Sequence, residues 1–282
     1  MTAPALQEIV CCMGQPVAGN PTQFMMEKAF AAAGLDWRYL TLEIPAEKLA
    51  DAMRGLRAMG LKGANFTIPH KVAVIQYLDE LSPAAELMGA VNCVNRVGDK
   101  LIGENTDGKG FVQSLRETGD PTGKKVIIFG AGGAARAVAV ELGLSGVADI
   151  TIVNRSAPRG EELVGVLRDR VKIQAQFAPL SGDYDIPADA DIFINATSIG
   201  LGDSNARVPV AVGSLRPELI VADVVFNPPE TWLHRTATER GCPALDGLGM
   251  LVNQAVIGFK IWTGVEPSAT VMRDALEEFL SI

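Results

Sequence analysis

The sequence predicts an α/β protein of two domains, the second a doubly wound parallel sheet, and three observations carry that expectation. Short apolar runs alternate with helix-patterned segments almost from end to end, as successive β-α-β units do. From residue 125 onwards those runs are apolar without interruption, the mark of strands covered on both faces. The chain has 282 residues, 48% of them hydrophobic and 21% charged, which is enough material for two cores.

In chain order, EIVCCM reads as a strand and GNPTQ as a turn. Asn20-Pro21 is a turn signal, and Thr22 is a suitable N-cap for the periodic segment FMMEKAFAAAGL. WRYLTLEI is the next strand, AEKLADAMRGLRAMGL a helix and ANFTI a strand, so this part is expected to build a parallel sheet. Near residue 100 the texture shifts to the short runs VNCVNRV and KLIGEN, followed by the helix-like GKGFVQSLRETG and the turn DPTGKK. A second alternation then begins with KKVIIFGAGGAARAVAVELGL and continues through the strands DITIVNR, VKIQAQF, ADIFINAT and ELIVADVVF. The last segments, LGMLVNQAVIGFKIWTG and SATVMRDALEEFL, are amphipathic helices with no strand between them.

Composition narrows the function. A formal net charge of -8 and no Lys/Arg run exclude nucleic acid as the expected partner, since phosphate contacts need a basic face. The four cysteines, Cys11, Cys12, Cys93 and Cys242, lack C-x-x-C spacing, so neither a metal site nor a disulfide framework is expected. The stretch MTAPALQEIV has no basic n-region or long apolar h-region, and no apolar run is long enough to span a bilayer. A cytoplasmic protein acting on small molecules is the expectation, with no membrane partner.

One motif supplies a cofactor. In KKVIIFGAGGAARAVA a buried strand ends in Gly130, Gly132 and Ala135 at G-x-G-x-x-A spacing and opens directly into a helix. Gly130, Ala131, Gly132, Gly133 and Ala134 thus offer a tight turn, close backbone approach to a pyrophosphate and helix N-terminal amides that favour negative charge. The following strand ends in Asn154 and Arg155, with Ser156 and Arg159 just beyond, where an NAD enzyme of this Rossmann type would carry an acidic residue for the ribose. Two guanidinium groups without a nearby carboxylate suit a 2′-phosphate, so NADP is expected ahead of NAD.

Two loops supply chemistry. In KGANFTIPHK a strand-like run passes Asn65 and Thr67, meets Pro69 and places His70 and Lys71 just beyond its end, where active-site loops of parallel sheets lie. In IGENTDGKGF the cluster Glu104, Asn105, Thr106, Asp107 and Gly108 also suits a cap and turn. Lys71 and Asp107 together bring an amine and a carboxylate from different loops, a pair able to move a proton if burial lowers the lysine pKa. His70 is expected to pack beside Lys71, and Trp232, Trp262 and the Met-rich helix 24 to 26 to serve as core and domain-contact residues.

These residues resemble the shikimate dehydrogenase family over nearly the whole chain. NFTIPHK is similar to the family's N-x-T-x-P-x-K segment, GAVN to its GA-x-N segment and ENTDGKG to its N-T-D-x-x-G segment. GAGGAARA, NRS, NATSIG and GLGMLVNQAVIGFKIWTG also follow family pattern. The resemblance implies hydride transfer between NADP and a cyclic polyol acid, with Lys71 and Asp107 as the catalytic pair. It implies that Thr67, Asn92 and Gln254 hold ring hydroxyls, that Arg155 and Arg159 hold the 2′-phosphate, and that Thr197, Val224 and Gly247 border the cofactor. It further implies a substrate-binding domain of residues 1–107, completed by 247–282, and a Rossmann domain of 108–246. A monomer or homodimer is expected.

The chain departs from that pattern at one place. The family typically carries S-x-S-P where this sequence has Asn20, Thr22 and Gln23, and a tyrosine where it has Phe226; those serines and the tyrosine bind the substrate carboxylate. Phe226 removes a donor outright, and a carboxylate that loses a hydrogen bond in a partly buried site loses roughly 1.5–3 kcal/mol. The expected substrate is shikimate, quinate or a related cyclic hydroxy acid. The rival readings are a non-catalytic NADPH-binding sensor or scaffold and a methylene-folate type dehydrogenase. Retention of both Lys71 and Asp107 speaks against the sensor, and the NTD segment against the folate enzyme.

Overall fold

A computed structural model describes residues 6–282; residues 1–5, part of the stretch read above for leader features, lie outside the described residues. The chain divides into two compact units, Met1–Thr106 with Gln254–Ile282, and Asp107–Asn253.

The first unit is a six-stranded sheet of β1 (Glu8–Gly14), β2 (Trp37–Glu43), β3 (Gly63–Phe66), β4 (Glu80–Leu81), β5 (Cys93–Val97) and β6 (Lys100–Glu104), in the order β2-β1-β3-β5-β6-β4. The sheet is mixed rather than parallel: β5 runs antiparallel to both β3 and β6. Val97 pairs with Lys100 across the two-residue connection Gly98-Asp99, with Gly98 at φ 61°, and a link that short can join only antiparallel strands. Helices α1 (Thr22–Ala32), α2 (Leu49–Met59), α3 (His70–Ala73) and α4 (Pro83–Met88) connect the strands. Met53 and Leu56 of α2 pack with Cys11, Ala64, Phe66 and Val94 on one face of the sheet. Thr22 is the first helical residue of α1 rather than its cap. Pro21 has no N–H, so the first donor needing a partner belongs to Thr22, and it donates to Asn20 Oδ1 at 2.9 Å.

The second unit begins in α5 (Thr106–Thr118). Its sheet is parallel throughout, with β7 (Lys125–Phe129), β8 (Asp149–Asn154), β9 (Gln174–Pro179), β10 (Ile192–Asn195), β11 (Ile220–Asp223) and β12 (Ala244–Leu245) in the order β12-β11-β10-β7-β8-β9. This is the doubly wound arrangement, with reversal of strand order beside β7. Helices α6 (Gly133–Leu144), α7 (Ala157–Val166) and α8 (Trp232–Glu239) cover it, α8 being capped by Thr231 Oγ1, which accepts from the His234 N–H at 3.2 Å. Phe129 and Phe193 meet edge to face at 4.8 Å in the core.

Helix α9 (Leu248–Thr263) starts in the second unit and ends in the first, so the chain returns within a continuous helix at Gln254 and not at 247. In the first unit Phe259 stacks on Phe30 at 5.1 Å, and the Trp262 indole N–H donates to the Val94 carbonyl at 2.9 Å. The last helix, α10 (Ala269–Leu280), places Phe279 against Phe24 of α1 at 6.0 Å.

Candidate active site

Because β5 opposes its neighbours, the residue before its start lies at the same sheet edge as the residues after the ends of β3 and β6. That edge gathers Thr67 and Lys71 after β3, Asn92 before β5 and Thr106 after β6. Thr67 is anchored by its N–H, which donates to the Met13 carbonyl at 3.0 Å. A Cβ on Gly14 would lie 2.3 Å from the Thr67 γ-methyl, so the glycine lets this side chain sit against the end of β1. Lys71 is the second residue of α3, and its carbonyl accepts from the Val91 N–H at 2.8 Å, tying the lysine to the segment that carries Asn92. The Lys71 charge also bears on the Cys12 thiol, which burial nonetheless pushes up to about 11. Cys12 is therefore a neutral group beside the lysine.

Asn92 is buried and grips Thr106 through both ends of its amide: Oδ1 accepts from the Thr106 N–H at 2.7 Å, and Nδ2 donates to Thr106 Oγ1 at 2.9 Å. The Thr106 hydroxyl in turn lies 3.4 Å from Gln254 Oε1. Thr67, Lys71, Asn92 and Gln254 are thus brought to one region of the first unit, and Asp107 follows Thr106 directly in the first turn of α5. Asn20 and Thr22 lie on the loop after β1 and at the start of α1. His70 is buried, with Nε2 at 2.7 Å from the Ile44 carbonyl, as a packing residue would be.

The second unit holds the expected cofactor residues at the carboxyl ends of its strands. Gly130 follows β7 at φ 106°, and a Cβ there would come within 2.8 Å of the Ala196 carbonyl oxygen, so only glycine fits. Gly132 caps α6; Gly132 and Gly133 are exposed and face open space, which suits close approach of a pyrophosphate to the helix amides. Arg155 and Arg159 are exposed beyond β8, and neither guanidinium has an ion-pair partner among the described residues. Asn154 is fixed by its Nδ2, which donates to the Ser156 carbonyl at 3.0 Å. The residues present fit an NADP molecule. A Cβ on Gly247 would lie 2.4 Å from the Val225 carbonyl group, so this glycine holds the chain against the segment bearing Val224 and Phe226.

Three residues without a sequence-derived role organise these loops. Asp223 ends β11 and accepts from Asn195 Nδ2 at 2.9 Å, the Val225 N–H at 3.0 Å and the Thr231 hydroxyl at 2.7 Å. Burial pushes its carboxyl up to about 6 in spite of those donors. In the first unit Tyr39 donates to Asn65 Oδ1 at 2.7 Å, and Asn65 Nδ2 donates to the Asn92 carbonyl at 3.0 Å. A polar residue inside an otherwise buried strand was the available signal for both Asn65 and Asp223.

Comparison with known proteins agrees with this architecture. Residues 12–94 match the shikimate dehydrogenase substrate binding domain, 113–201 match shikimate / quinate 5-dehydrogenase, and 247–277 match the shikimate 5′-dehydrogenase C-terminal domain. Shikimate dehydrogenase (NADP(+)) of Methanopyrus kandleri is 42% identical over 96% of both chains. The ligand-free crystal structure of 5-ketofructose reductase of Gluconobacter sp. strain CHM43 is 49% identical, with a TM-score of 0.96 over 98% of this chain and 99% of that one. Quinate dehydrogenase from Corynebacterium glutamicum, solved with NAD, is 31% identical with a TM-score of 0.89 over 98% and 99% of the chains. With its two units, its glycine turn and its ordered polar loops matched from near one end to the other, this chain is an oxidoreductase belonging to the shikimate dehydrogenase family.

Proposed function

We propose that this protein interconverts a hydroxyl and a ketone with NADP, and that its preferred substrate is a polyhydroxylated ketone without a carboxylate, of the 5-ketofructose kind. The single observation that carries the substrate choice is the residue set Asn20, Thr22 and Phe226, at positions where the family resemblance places carboxylate ligands. Asn20 Oδ1 accepts from the Thr22 N–H and leaves Nδ2 as a donor, and Thr22 keeps its hydroxyl, whereas Phe226 offers no donor at all. The 49% identity to a 5-ketofructose reductase agrees with that choice. Thr67, Asn92 and Gln254 are retained and suit the hydroxyls that both kinds of substrate carry. The protein is taken to act in the cytoplasm; no described helix is long and apolar enough to cross a membrane.

The chemistry asks the protein for one proton and good placement. Bound NADPH supplies the hydride that the carbonyl carbon receives. Lys71, as an ammonium, gives its proton to the oxygen that becomes the hydroxyl, and takes one back in the oxidising direction. Asp107 accepts a hydrogen bond from a substrate hydroxyl. Gly130 to Gly133 and Ala134 would hold the pyrophosphate and Arg155 and Arg159 the 2′-phosphate, with Asn154 and Ser156 beside them, while Thr197, Val224 and Gly247 would border the cofactor.

The test follows nicotinamide absorbance with 5-ketofructose and NADPH, and with shikimate or quinate and NADP. The expected kcat/KM for 5-ketofructose exceeds that for either acid by about tenfold or more, the cost of the one charged hydrogen bond that Phe226 removes. Lys71→Ala is expected to lose about 10²–10⁴ in kcat with NADPH binding intact, and Asn20→Ser with Phe226→Tyr to shift the ratio toward shikimate. Preference of the unaltered protein for shikimate or quinate would overturn the substrate assignment.

A further inference from the structure

The Tyr39 hydroxyl belongs to β2 of the first unit, and nothing about its position there suggests a part in the chemistry. It is fully buried, and burial holds its phenol well above the usual tyrosine range, so it stays a neutral donor. Its O–H donates to Asn65 Oδ1 at 2.7 Å. A buried tyrosine normally finds such a partner; the consequence lies in what the partner then does. With Oδ1 committed to Tyr39, the Asn65 amide can point only its Nδ2 at the Asn92 carbonyl, which also accepts from the Phe66 N–H at 2.9 Å. The Asn92 side chain then holds the Thr106 N–H and hydroxyl through both ends of its amide. Four buried residues, on β2, on β3, just before β5 and at the start of α5, are linked in series, and the last is joined by a peptide bond to Asp107.

We infer that Tyr39 is a positioning residue, which acts through Asn65 and Asn92 to hold the Thr106–Asp107 turn. Without the phenolic hydroxyl, Asn65 is free to rotate its amide, presenting its oxygen to the Asn92 carbonyl oxygen and loosening the clamp on Thr106. The kinetic consequence rests on the oxidoreductase reading above; the structural consequence does not.

The experiment is amide hydrogen exchange by NMR on the full chain with Tyr39→Phe, with kinetics on 5-ketofructose and NADPH alongside. The Thr106 amide is expected to exchange about tenfold faster, while Ile150 in β8 of the other unit keeps its rate. In the kinetic arm kcat falls about tenfold, and the KM for NADPH is unchanged. Asn65→Leu breaks the series at its next link and is expected to give the same selective rise; in that background Tyr39→Phe adds nothing further. An unchanged Thr106 rate in either variant overturns the inference, as does a rise shared equally by Ile150 or a fully additive double variant. A selective rise at Thr106 in a protein that turns over neither 5-ketofructose nor shikimate would uphold Tyr39 and refute the functional reading instead.

Discussion

Replacing Asp223 by asparagine is expected to change how stability depends on pH, because the native carboxyl binds its proton more tightly than the unfolded chain does. Its value rises from 3.8 to about 6 on folding, and every group acting on it is neutral: the Thr231 hydroxyl, the Val225 N–H and the Asn195 amide. A rise of about 2 units at 1.36 kcal/mol each is about 3 kcal/mol of stability, present in full below the unfolded value and lost as pH climbs through about 6. Roughly half of that loss falls between about pH 5 and pH 8. An asparagine keeps the geometry: its Oδ1 accepts from Asn195 and Val225, and its Nδ2 donates to Thr231 Oγ1, whose second lone pair still receives the His234 N–H. Urea unfolding of both proteins at pH 5 and at pH 8 reads the effect. The variant is expected to gain about 1.5 kcal/mol relative to the parent on going to the higher pH. An equal difference at both pH values would show that Asp223 titrates as an ordinary carboxyl and that its three donors outweigh burial.

Two further outcomes follow from the second unit. Arg155→Ala with Arg159→Ala is expected to raise the KM for NADP by about tenfold or more while leaving NAD unaffected, since two unpaired guanidinium groups would be lost to a 2′-phosphate; parallel loss of both cofactors in steady-state kinetics would contradict that role. Gly108→Ala should destabilise the protein by about 1–3 kcal/mol, seen as a lower Tm, because the added Cβ would meet the Ala137 carbonyl oxygen at 2.4 Å.

Much of the architecture was legible because period and punctuation agree in this chain. The run KKVIIFGAGGAARA announced both β7 and α6, since an uninterrupted apolar strand, a glycine turn and a helix start are each required by close backbone packing. The antiparallel course of β5 departs from the parallel sheet expected for the first unit, because short strands flanked by β-α-β units carry a parallel pattern and only the two-residue link Gly98-Asp99 signals the reversal. Thr22 was taken for a cap from its residue type alone; the proline before it moves that duty to Asn20. The lysine and the aspartate are recognisable by motif, whereas the series from Tyr39 to Thr106 depends on strand register between residues 14 to 27 apart, which no local pattern encodes. Helix α8 and strand β12 were also unread, being too short to establish a period.

The reversed direction of β5 has a consequence for how this fold tolerates change. Asn92 and Thr106 stand at the two open ends of one hairpin, separated by 14 residues and clasped to each other, so this part of the edge closes early and with little loop entropy. The hairpin's tip, Gly98-Asp99, sits at the opposite end of the sheet with Val97 and Asp99 in solvent. Insertions at that tip lengthen a surface loop while the clasp below keeps its register, which makes the tip a place where a tag can be grafted without disturbing the residues proposed to meet the substrate.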